Sequence, residues 1–67
     1  MKMKEIVRFV DSANTAELLR KREAVQELID MGGLDEDTRA DARRVLRLIN
    51  EELLARAEVE ELRASRR

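Results

Sequence analysis

Glycine occurs at two adjacent positions in the 67 residues, Gly32 and Gly33, and proline at none. A chain with one such interruption divides into two arms, because Gly and Pro are the residues that most sharply break regular structure. Ahead of the pair, Leu18, Leu19, Val25, Leu28 and Ile29 recur at helical spacing. Beyond it, Ala42, Val45, Leu46, Ile49 and Leu53 do the same. The expected fold is all-α: an antiparallel helical hairpin, with helices at about 14–31 and 35–64 and a short N-terminal segment.

The turn carries its own chemistry. With Gly33 left-handed after the first helix, Leu34 takes the place where a Schellman turn folds an apolar side chain back on Ile29 or Leu28. Asp35 then caps the second helix, and Glu36 and Asp37 put negative charge at its positive dipole end. Further along, Ala42 and Ile49, Leu46 and Leu53, Val45 and Val59, and Leu48, Ala55 and Leu62 are separated by seven residues or a multiple of seven. That period implies left-handed supercoiled packing. Glu52 and Arg56 interrupt the apolar row. Four apart with Glu first, they suit an intrahelical pair, and they either fix register with a partner or mark where the seam turns to solvent.

In the first arm, "IVRFVDSANTAE" holds a break of phase. Ile6, Phe9, Val10, Ala13 and Ala16 form one stripe at 100° per residue, and Leu18, Val25, Leu28 and Ile29 form another, rotated by roughly a third of a turn. Asn14, with Glu17 three residues on, has a helix-start pattern, which places a boundary near residues 11–14. The apolar residues before it come in adjacent pairs, which suits a short helix more than an alternating strand, although Ile, Val and Phe favour strands. A helix over 14–31 is shorter than its partner. Val59 and Leu62 then need a cover, which the N-terminal segment or a second subunit is placed to supply.

Composition narrows the function. The chain has no His, Cys, Tyr or Trp, and its only serines are Ser12 and Ser65, so the usual nucleophiles and bases are lacking and no enzyme or cofactor is expected. Asp35, Glu36, Asp37 and Asp41 cluster, but without the glycine and twelfth-position acid of a calcium loop; helix capping explains them and no metal is expected. Lacking disulfide or zinc staples, a chain this short buries a small share of its surface. A homodimer is therefore expected, two hairpins forming a four-helix bundle packed through Leu18, Val25, Leu28, Val45, Ile49 and Leu53. The Met1–Asp11 stretch lacks the apolar core of a signal peptide, no run reaches a membrane span, and a cytoplasmic location is the default expectation.

Arg39, Arg43 and Arg47 recur every fourth residue, with Arg44 alongside, opposite the apolar stripe. Such a face tracks phosphates or an acidic protein partner. The competing explanation is a solvated face with intrahelical pairs, Asp41 with Arg44 and Arg47 with Glu51. Near-balanced charge, 14 cations against 15 anions, and a single aromatic, Phe9, favour the second. The order of short segment, helix, turn and helix resembles the ribbon-helix-helix regulators, with Lys4, Ile6 and Arg8 on one strand face. However, Asp35, Glu36 and Asp37 stand where that fold meets the DNA backbone. The size, the acidic "LDEDTRAD" turn and the Arg8-Phe9 dipeptide are similar to the Rop family of plasmid copy-number regulators, over about ten residues. That resemblance implies a dimeric four-helix bundle and carries over no RNA-binding residues. The expected function is a non-enzymatic interaction or regulatory module that self-associates, with nucleic-acid binding through the Arg face as the alternative.

Overall fold

The computed structural model describes residues 2–65, which form three α-helices: α1 (Met3–Ser12), α2 (Thr15–Met31) and α3 (Glu36–Ser65). Among the described residues there is no strand. The N-terminal ribbon of a ribbon-helix-helix fold is therefore not formed, and the paired apolar residues of this segment lie on a helix.

Each boundary has a local cause. α1 ends where Ser12 Oγ donates to Arg8 O (2.7 Å) and the Ala13 amide donates to Phe9 O (2.8 Å). Ala13 and Asn14 are extended, and Asn14 Oδ1 accepts from the Glu17 amide at 2.8 Å, capping α2 where the two apolar stripes fall out of phase. α2 closes at Gly32, whose amide donates to Ile29 O at 3.2 Å. Gly32 and Gly33 both have positive φ, 75° and 81°, which L side chains rarely adopt. The expected Schellman turn is not made. Gly32 has ψ −170°, far from the left-handed helical region, and among the described residues no backbone hydrogen bond from Leu34 returns to α2. Two residues without Cβ let the chain reverse through consecutive positive-φ positions instead of one.

Asp35 caps α3, its Oδ1 accepting from the Thr38 amide at 2.8 Å. Hydrogen bonds from the Thr38 side chain, then from its amide, hold the Asp35 carboxyl below its ordinary value of 3.8. A depressed carboxyl stabilises the fold above its unfolded pKa and loses that contribution as pH falls through the folded value. The first turn of α3 is accordingly expected to loosen on acidification below 3.8. Thr38 amide exchange should follow that titration in the wild type, and the titration should disappear in Asp35→Asn, which keeps a capping oxygen.

α3 is the axis of the molecule. At 1.5 Å per residue its 30 residues run about 45 Å, against about 25 Å for the 17 of α2 and about 15 Å for the 10 of α1. Both shorter helices pack on α3 and touch each other little. α2 runs antiparallel to it, with Arg22 Nη1 donating to Asn50 Oδ1 (3.3 Å) and Thr15 beside Arg56 (3.3 Å). α1 doubles back through the two-residue elbow. Its end lies at Arg56, while its start shares a groove with Val25, Leu28 and Val45. It therefore runs parallel to α3.

Leu18 and Ile49 are fully buried at the centre, with Val10, Ala13, Val25, Ala42 and Val45 around them and Leu53 half-buried against them. Val10 and Ala13 come from the N-terminal segment, which packs on part of the stripe expected to meet a second hairpin. Leu28 differs from the rest of the expected packing set. It is 52% exposed, standing about 60° around α2 from Val25, on the flank of the buried stripe.

The N-terminal segment does not cover the far end of α3. Residues 57–65 are exposed throughout, Val59 and Leu62 included. Ile6, Phe9 and Val10 find a larger apolar surface between α2 and α3 than the extension offers, and the extended elbow turns α1 that way.

Candidate interaction surface

Arg56, an apparent flaw in the apolar seam, joins all three helices. Its Nη2 donates to Ala13 O (2.7 Å) and Val10 O (3.3 Å), and its Nη1 donates to Thr15 Oγ1 (3.3 Å). The carbonyls at the end of α1 lack intrahelical partners and carry the negative end of its dipole, which a guanidinium fork suits. Glu52 Oε1 steadies the fork at 3.7 Å. Within the one chain the seam is thus bridged to α1 and the start of α2 at this point. Its polar pair holds the elbow.

Replacing Arg56 with Met keeps most of the aliphatic stem and removes the fork. The expected loss is about 1–2 kcal/mol, after allowing for solvent at a side chain 30% exposed. Amide exchange should accelerate most in α1, and a uniform change across the three helices would contradict the clamp.

Between α1 and α2 lies a groove of about 450 Å³, floored by Ile6, Phe9, Val25, Leu28 and Val45 and edged by Lys2, Glu5 and Lys21. Lys21 Nζ sits 5.6 Å from the Phe9 ring centroid, a cation–π contact that holds one wall.

The second surface is the side of α3 turned away from the core. Ala40, Arg44, Arg47, Glu51, Leu54, Glu58, Glu61 and Ser65 recur there at alternating spacings of four and three and are all exposed, Leu54 and Leu62 beside it each at 62%. Arg43 is exposed along the same face, whereas Arg39 is half-buried with its guanidinium 3.5 Å from Leu34 O. The pairs Asp41–Arg44 and Arg47–Glu51 do not form. Among the described residues the ion pair within 4 Å is Glu52–Arg56. Surface i, i+3 and i, i+4 pairs such as these contribute only a few tenths of a kcal/mol, too little to hold long side chains together.

Comparison with protein-family models, with curated proteins and with solved structures gives no match. The surface itself is then the guide to function. Charge on α3 is uneven along its length: Arg39, Arg43, Arg44 and Arg47 stand against Glu36, Asp37 and Asp41 in the first half, and Glu51, Glu52, Glu58, Glu60 and Glu61 against Arg56 and Arg63 in the second. Beyond the first turn the exposed outer face carries Arg44 and Arg47 in the first half and Glu51, Glu58 and Glu61 in the second. The Arg half was legible from spacing alone. The acidic half that complements it has the same spacing and becomes meaningful once the core-facing side of α3 is known. No helix among the described residues is long and apolar enough to cross a membrane.

Proposed function

We propose that this chain is a small non-enzymatic interaction module, regulatory in character, that self-associates as a homodimer. The observation that carries this is the exposed far third of α3. A helix continued for nine residues past the bundle, with Val59 and Leu62 in water, gains no packing in one chain to offset its ordering cost. A protein partner supplies what the chain lacks. A four-helix bundle of two hairpins requires α1 to leave the stripe it covers; association through α3 leaves the bundle intact and is the form we favour. Sedimentation equilibrium tests it: dimer should appear within the micromolar range, and a monomer persisting at about 100 μM, a standard free energy weaker than about −5.5 kcal/mol, would exclude it.

A second function is favoured by one observation, that Arg43, Arg44 and Arg47 are exposed and have no carboxylate within 4 Å among the described residues. Three such cations, with Arg39 at their edge, suit a phosphate backbone. Binding of generic duplex at about 50 mM salt, with a log–log salt slope near −3, would support it.

A further inference from the structure

We infer that two copies pair back to back through the outer faces of α3, antiparallel, in a register set by charge. This rests on the self-association proposed above and names its surface and geometry. A parallel pair would set Arg44 against Arg44 and Glu58 against Glu58, like charges directly opposed. An antiparallel pair with its two-fold axis between Glu52 and Leu53 sets Arg44 against Glu61 of the second copy and Arg47 against Glu58. The symmetry makes each pair twice. Glu51 and Leu54 face each other across the centre.

The alternating four-three spacing of these positions is that of a coiled-coil seam, in which antiparallel helices match such layers. Register follows from the alternatives. Sliding by one heptad in one direction brings Glu51 against Glu61, and in the other brings Asp37 against Glu61. Only the central register opposes cations to anions throughout.

The same register accounts for the uncovered end of α3. Residues 58–65 of one copy lie along residues 40–47 of the other, where that helix is held by its own bundle. Exposed ion pairs each contribute little, so charge selects the alignment and the association weakens as salt rises.

Two double variants test this, both at exposed positions: Arg44→Glu with Arg47→Glu, and Glu58→Arg with Glu61→Arg. Each alone opposes like charges and is expected to dissociate at least about tenfold more readily than the wild type. Mixed in equal amounts they regain every complementary pair and should form a heterodimer. Sedimentation reads the masses, and circular dichroism checks that both variants remain helical. If the wild type dimerises and both variants dimerise equally well, the α3 pairing is overturned while self-association stands. If the variants dissociate but the mixture does not recover, the register is overturned. A wild type that stays monomeric, or one whose mass rises only when duplex DNA is added at low salt, overturns both.

Discussion

Replacement of Ile49 with Asp is expected to abolish cooperative folding altogether. Ile49 has no exposed surface and sits where α1, α2 and α3 meet, in a core that contains no buried polar or charged residue. A carboxylate placed there has no donor to receive and no cation to pair with, a cost of several kcal/mol even after local relaxation. A domain of this length is stable by roughly 3–10 kcal/mol in total. The loss therefore takes the bundle with it, since no other cluster of buried residues remains to hold any pair of helices. Far-UV circular dichroism should show weak helicity and no sigmoidal melting. A folded monomer of Ile49→Asp would mean that the packing around this residue is not what holds the chain.

Why so much of the helical architecture could be read in advance, and why one part could not, comes down to the range of the interactions involved. The caps at Asn14 and Asp35 act over three residues, so their chemistry lies within a short window of sequence, and the two glycines mark the place of the turn though not the form it takes. The route of α1 depends on Arg56 reaching Val10 and Ala13 across 46 and 43 positions. No local pattern encodes such a contact. Its trace was the break that Glu52 and Arg56 make in an apolar row, which is equally compatible with a dimer interface or a solvated face. The phase change near Ser12 foretold a boundary but not the direction taken after it.

That route also changes the grounds on which a second copy is expected. From composition, a lone chain is too small to bury an adequate core. In the structure, α1 supplies Val10 and Ala13 to the stripe that two hairpins would have shared. On the pairing proposed above, a dimer joined through the outside of α3 would associate after folding, not as a condition of it. The two cases separate by mass action, because only coupled folding and assembly makes the whole melting transition depend strongly on concentration.

The pair Leu18 and Leu28 gives the second large effect, and it comes from a contrast. Both belong to the apolar periodicity of α2, and by spacing both qualify for the core. Leu18 is wholly enclosed in the first turns of α2, against the elbow and α3, whereas Leu28 keeps 52% of its surface in water at the edge of the groove. Truncating Leu18 to Ala removes its apolar burial and leaves a cavity among residues that three helices hold in place, for an expected loss of about 2–5 kcal/mol. Leu28→Ala removes a side chain that is already half hydrated and has room for its neighbours to settle, so its loss should stay near or below about 1 kcal/mol. Urea denaturation of the two variants, with unchanged m-values, measures the difference directly. Equal losses would mean that Leu28 is covered in solution, and the groove between α1 and α2 would then be the first place to look for what covers it.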